Sequence, residues 1–225
     1  MQTSSPARPA AVLFDMDGTL VDTEQLWWQA AVEVAEGLGR RLADADLPDV
    51  LGRPISHTAA YLRRTTATGR TERELAAELD RAFADRVTVD VRPRPGVLRL
   101  LAELRDAGVP AALVTASTHR IVDLVLGVLG THWFAVTVAA DDTPATKPAP
   151  DPYLAAAARL GVRPASCVAV EDSPIGIASA RAAGCPVLAV PSTVPIEPSP
   201  GVSVVAGLGD VDLAVLAALV DPART

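Results

Sequence analysis

Short apolar runs and longer stretches of helical periodicity alternate along most of the chain. The run 11–14 (Ala-Val-Leu-Phe) is continuously apolar, as expected of a strand buried on both faces of a parallel sheet. From residue 97 the alternation is regular. A helix over 97–107, stopped at Gly108, leads into an apolar strand over 109–114, a helix over 120–129 and a short segment over 134–139. A helix over 152–160, a strand over 167–170, a helix over 175–183 and a strand over 187–190 follow. Strands and helices in strict turn predict parallel crossover units. The Pro-rich segment 191–201 predicts a loop, 202–205 an edge strand and 213–220 a last helix, while residues 1–8 read as a disordered lead-in.

Between the first strand and residue 90 only helical patterns occur. Trp27, Ala31, Val34 and Leu38 repeat at helical spacing over 24–38, with Gly39 as the stop. Farther on, Tyr61, Leu62, Leu75, Leu79 and Phe83 sit among Arg, Glu and Asp in amphipathic patterns. The pattern therefore predicts an α/β fold: a Rossmann-like parallel-sheet core made of 1–22 and 91–225, with an inserted all-helical domain over 23–90.

Composition narrows the partners. With 49% apolar and 4% aromatic residues, 225 residues suffice for a core of helices on a sheet plus a smaller companion. A net charge of −7 with no Lys/Arg cluster argues against nucleic acid and against an anionic membrane surface. No apolar run approaches a membrane span, and the opening MQTSSPAR lacks signal-peptide features. Cys167 and Cys185 are too few for a disulfide framework and have apolar neighbours, so both are expected as buried thiols in a cytoplasmic protein working as a monomer.

The chemistry begins where the first strand stops. Asp15 and Asp17, two apart in an extended segment, point to one side and can address one atom, and Gly18 lets the backbone turn away. The carboxyl ends of parallel strands are where open α/β sheets bind ligands. A calcium-binding EF-hand loop is excluded, because its Gly falls at position six and its Glu at twelve; counted from Asp15, position four is Gly18 and position twelve is Leu26. Later strand ends add Thr115 and Ser117, where backbone N–H groups before a helix suit an anion, then Lys147 in TKPAPD, and Glu171-Asp172.

Taken in this order, DMDGTLVDTE, Thr115, Lys147 with KPAPD, and EDSPIG resemble the four motifs of the haloacid dehalogenase-like superfamily, in its branch of helical-cap sugar-phosphate phosphatases and β-phosphoglucomutase-like proteins. The resemblance covers residues 10–190. It implies that Asp15 is a nucleophile forming an aspartyl-phosphate, and that Asp17 protonates the leaving alkoxide and then deprotonates the attacking water. It further implies Mg²⁺ held by the Asp15 carboxylate, the Asp17 backbone carbonyl and Asp172, with Glu171 in or near the shell. Thr115 and Lys147 would contact the phosphoryl group, Lys147 also neutralising Asp15. Four carboxylates and a phosphate dianion carry about six negative charges against about three positive from Mg²⁺ and Lys147, so a proton is needed, and Asp17 is expected to hold it.

The insert then sets the substrate. Leu51 to Ser56 resembles the cap specificity loop of this branch, with Arg53 and Ser117 as candidate substrate contacts. The related mutase has an Arg three residues after the loop Gly and a His twelve after the nucleophile; here those positions are Ile55 and Trp27. Hydrolysis of a small phosphorylated sugar or polyol is therefore expected over a phosphosugar mutase. A non-catalytic phosphometabolite-binding protein is the reading from another class, weakened because Asp15, Asp17, Lys147 and Asp172 are all present. Glu24 is expected to support the insert's first helix, and His57, His119 and His132 to sit at the surface or in packing.

Overall fold

The computed structural model describes residues 8–192 and 194–220. The expectation for residues 1–8 lies outside the described residues except at Arg8. Among the described residues the strands are β1 (Ala11–Phe14), β2 (Ala111–Val114), β3 (Val136–Val138), β4 (Cys167–Glu171), β5 (Val187–Ala189) and β6 (Val202–Val204). All pair in parallel in the order β3-β2-β1-β4-β5-β6. The chain thus works outwards from β1 to one side and returns to build the other. A crevice opens at the carboxyl ends of β1 and β4, where the direction reverses.

Side chains alternate across the sheet with the period of two that a strand imposes. Val12 and Phe14 of β1 join Val168 and Val170 of β4 and Leu113 of β2 in one apolar layer. Ala11 and Leu13 join Ala169, Ala112 and Val114 in the other. The first layer is covered by α5 (Val97–Asp106), α6 (His119–Leu129) and α9 (Leu213–Leu219), the second by α7 (Asp151–Leu160) and α8 (Pro174–Ala182). Burial of each large apolar side chain on these faces contributes roughly 1.5–3 kcal/mol. Cys167 and Cys185 are buried free thiols, pushed up to about 11 and about 12 by burial, which leaves them inert packing groups.

The segment 23–90 contains α1 (Glu24–Gly37), α2 (Leu47–Val50), α3 (Ile55–Thr65) and α4 (Glu72–Asp90), with no strand. A reciprocal capping box starts α4: Glu74 N donates to the Thr71 hydroxyl, and Thr71 N donates to the Glu74 carboxylate at 2.7 Å. Both α1 and α3 pack on α4, and Trp27 of α1 meets Phe83 of α4 edge to face at 5.4 Å. Where the chain leaves for these helices and where it returns, the two segments bond to each other. Asp22 N donates to Arg92 O at 3.0 Å and Arg94 N to Leu20 O at 2.9 Å. No described helix is long and apolar enough to cross a membrane.

Candidate active site

The backbone N–H of Asp15 donates to Val170 O at 2.9 Å, which continues the β1–β4 pairing one residue past β1 and sets Asp15 beside Glu171 and Asp172. Lys147 reaches them from the loop before α7. Its ammonium donates to Asp15 Oδ1 at 2.6 Å, to Glu171 Oε1 at 2.6 Å and to Val114 O at 2.9 Å. Three donors are all that an ammonium has. In this arrangement Lys147 therefore fixes Asp15 and Glu171 and has no proton left for a ligand. Tyr153 of α7 lies buried below, donating its hydroxyl to Glu171 Oε1 at 2.6 Å, with Lys147 Nζ 5.2 Å from its ring centre.

Asp15, Lys147, Glu171 and Asp172 are all buried, so their charges act at full strength on one another. Burial holds the Asp15 carboxyl well above the usual carboxylate range; Lys147 opposes this, while Glu171, Asp172 and Asp17 add to it. Burial, followed by the charge of Glu171, pushes Asp172 up to about 7. For Lys147, burial alone would favour the neutral amine, but Asp15 and Glu171 outweigh it and the ammonium is held charged. The Tyr153 hydroxyl is raised by burial and by Glu171, so it stays a donor.

One carboxylate oxygen from each of Asp15, Glu171 and Asp172 falls within 4.8 Å of the others, and Asp15 Oδ2 is buried with no hydrogen-bond partner. Crowded, charged oxygen donors of this kind fit a hard divalent cation. Glu171 Oε1 is already engaged by Lys147 and Tyr153, which makes Asp15 and Asp172 the freer ligands. The Asp172 carboxylate also accepts from the Ser192 hydroxyl.

Asp17 is turned elsewhere. Its carboxylate accepts from the hydroxyls of Thr23 at 2.7 Å, Ser117 at 2.7 Å and Thr115 at 3.3 Å, and it is not in the three-carboxylate cluster. Thr115 in turn accepts from Ser117 N at 3.0 Å. Gly18, next in the chain, has φ +81° and approaches Asp172 so closely that a Cβ would stand 2.0 Å from Asp172 Oδ2.

Above this floor is a cavity of about 140 Å³ whose far wall comes from the insert. Trp27, Leu51, Ile55 and Phe83 make that wall apolar, and Glu24, Arg53 and Asp80 are its charged groups. Arg53, exposed, donates through Nε to Pro48 O at 2.9 Å. Asp80 accepts from Thr118 at 3.0 Å and pairs with Arg120 at 3.3 Å, joining α4 to the start of α6. Every residue singled out from the sequence as a site residue, Glu171 excepted, lines this cavity; Glu171, with no exposed surface, lies behind Lys147.

The structure adds groups that were not foreseen: Thr23 and Ser192 as donors to the aspartates, Tyr153 under Glu171, and Asp80 in the wall. Glu24, expected to serve the helix alone, also lines the cavity, and burial raises its carboxyl despite Ser192 and Arg94. The Thr-Glu of DMDGTLVDTE and the Tyr of KPAPDPY were the available signals, as extensions of segments already noticed. His57 and His119 pair with Asp49 and Asp142, and His132 stacks on Trp133. None of the three lines the cavity.

The haloacid dehalogenase-like hydrolase family model matches residues 12–190. Protein CbbY of Cupriavidus necator is 38% identical over 206 residues, covering 84% of this chain and 81% of that protein. Hexitol phosphatase B of Escherichia coli K12 is 33% identical over 195 residues, covering 84% of this chain and 86% of the relative. Among solved structures, a variant of CbbY from Rhodobacter sphaeroides in complex with xylulose-(1,5)bisphosphate superposes with a TM-score of 0.81. It is 26% identical and covers 92% of this chain and 98% of its own.

Proposed function

Because the chain belongs to the haloacid dehalogenase-like hydrolase family, we propose that it is a Mg²⁺-dependent phosphatase that cleaves a small phosphorylated sugar or polyol through an aspartyl-phosphate at Asp15. The observation that carries the reading is the state of the Asp15 carboxylate: Lys147 fixes one oxygen, and the other is buried without a partner at the floor of the cavity. A carboxylate so held is oriented to attack phosphorus and splits one displacement into two easier ones.

In the first displacement Asp15 bonds to phosphorus and the ester oxygen departs, taking a proton from Asp17. In the second a water attacks the acyl phosphate, Asp17 takes its proton, and phosphate leaves with the Asp15 carboxylate restored. The hydroxyls of Thr23 and Ser117 hold Asp17 in place for both transfers. Thr115, just past the end of β2, would contact a phosphoryl oxygen, with Ser117 a further substrate contact. Asp15, Asp172 and the Asp17 carbonyl would hold Mg²⁺, which when bound would supply the positive charge needed for a phosphate dianion beside so many carboxylates. Residues 23–90 act as a cap over the sheet end and choose the ester.

Hydrolysis is favoured over phosphosugar transfer because Trp27 and Ile55, where the mutase has His and Arg, form apolar parts of the cavity wall. The direct test is release of phosphate from p-nitrophenyl phosphate in Mg²⁺, abolished by chelator. Absence of turnover on every phosphate ester would favour a non-catalytic binder.

The electrostatics provide a second test that does not depend on turnover. The folded Asp172 carboxyl is raised from 3.8 to about 7, so the fold prefers its neutral form. This part of the metal-free protein's stability is fully present below the unfolded value and falls as pH rises through about 7. A cation bound by the carboxylates replaces the protons. Millimolar Mg²⁺ is therefore expected to raise Tm by roughly 5 °C more at pH about 8 than at pH about 5.5. Equal shifts at the two pH values, read by calorimetry, would contradict the assignment of Asp172 as a ligand.

A further inference from the structure

We infer that the cap side of the cavity selects esters carrying one phosphate and an uncharged hydroxylated tail, and rejects bisphosphates; the inference rests on the phosphatase reading above. The second phosphate of a bisphosphate is a dianion that must leave water for a site with matching cations. The lining does not supply them. On the cap side the charged groups are Glu24, Asp80 and Arg53, two anions and one cation. On the core side, among the described residues, the only cationic side chain in the lining is that of Lys147, whose three donors are committed to Asp15, Glu171 and Val114 O.

Arg53 is a single charge near the rim, partly tied by its Nε to Pro48 O. Beyond the lining lie Arg120, paired with Asp80, and Arg94, which donates to Gly18 O and acts on Glu24. A distal phosphate would thus meet the Asp80 carboxylate with one arginine in support. Juxtaposed like charges discriminate strongly when a site is closed from water.

The same lining is well suited to a neutral polyol. The hydroxyl oxygens of Ser117 and Thr118, whose protons go to Asp17 and Asp80, and the Asp80 carboxylate offer acceptors for sugar hydroxyls. Trp27 and Phe83 present apolar ring surface for the C–H faces between them. Of the hexitol phosphate named for one relative and the pentulose bisphosphate bound in the Rhodobacter sphaeroides structure, the first fits and the second does not. Overall similarity would not decide between them, since the Rhodobacter sphaeroides CbbY bound to the bisphosphate and the hexitol phosphatase match this chain at 26% and 33%.

The test is kcat/KM of the Mg²⁺-loaded enzyme on xylulose 5-phosphate, xylulose 1,5-bisphosphate and a hexitol monophosphate, with p-nitrophenyl phosphate alongside. The better monophosphate is expected to exceed the bisphosphate by roughly a hundredfold. Asp80→Asn is expected to narrow that ratio about tenfold by relieving the repulsion. A bisphosphate turned over as efficiently as the monophosphates, while p-nitrophenyl phosphate is also cleaved, would overturn the inference and leave the phosphatase reading standing. If no ester is turned over the phosphatase reading falls. The selectivity is then decided by calorimetric affinities of the two xylulose phosphates for the protein, where tighter binding of the bisphosphate overturns it and tighter binding of the monophosphate supports it.

Discussion

Asp15→Asn is expected to lower phosphate-ester turnover by about 10⁴-fold or more while leaving the fold intact. The amide has nearly the volume of the carboxylate, so the close packing of Asp15 against the β4 end is kept. Lys147 retains Glu171 Oε1 and Val114 O as partners, and no buried ammonium is left alone. What disappears is the nucleophile, since an amide oxygen cannot form a stable acyl phosphate and return as a carboxylate. The substitution also removes one charge from a cluster in which burial already holds Asp15 well above its ordinary range. Metal-free Asp15→Asn should accordingly melt no lower than the unsubstituted protein at neutral pH. Acid-quenched wild-type enzyme should carry a hydroxylamine-labile phosphate that the variant lacks. Turnover within about tenfold of wild type, with an intact fold, would remove Asp15 from the role of nucleophile.

The parts of this protein that were legible in its sequence are those fixed by local periodicity. A four-residue apolar run with no polar interruption has to be buried on both faces, and β1 is. The strand predicted over 109–114 is shorter in the structure, beginning at Ala111, because Pro110 has no N–H for the ladder and Val109 N is used by Leu104 O to close α5. The segment 134–139 contracts to Val136–Val138, pinched between a single turn at Thr131–Trp133 and another at Ala140–Asp142.

Of the site, the carboxylates and the lysine could be read because each stands at the end of an element whose type was readable. The groups that orient them could not. Tyr153 was one position of the helix predicted over 152–160, and only the packing of α7 against β1, β2 and β3 sets its hydroxyl against Glu171. Ser192 sat in a Pro-rich loop with no periodicity, and Asp80 among the Arg, Glu and Asp of an amphipathic pattern. Charge counting correctly required a surplus of negative charge at the site. It put the needed proton on Asp17 and could not say that burial would favour the neutral forms of Asp15 and Asp172 in the metal-free protein.

Asp17→Asn separates the two chemical steps. A sugar or polyol alkoxide is a poor leaving group and needs the proton that Asp17 delivers, so turnover of a hexitol phosphate is expected to fall by roughly 10²–10⁴-fold. p-Nitrophenolate leaves without a proton, and phosphorylation of Asp15 by that ester should remain fast. Hydrolysis of the aspartyl-phosphate still needs a base to take the proton of water, and the side-chain amide of the variant cannot serve as one. The variant should therefore release p-nitrophenol in a burst close to one equivalent per enzyme, then turn over slowly, with phosphoenzyme accumulating. Thr23 and Ser117 donate to different oxygens of Asp17; the amide keeps one of these acceptors and its NH₂ can donate to the other hydroxyl oxygen, so the loop that carries it should keep its place. Had Asp17 only a structural part, both esters would slow alike and no burst would appear. That outcome in a rapid-quench experiment would reassign the proton to another group.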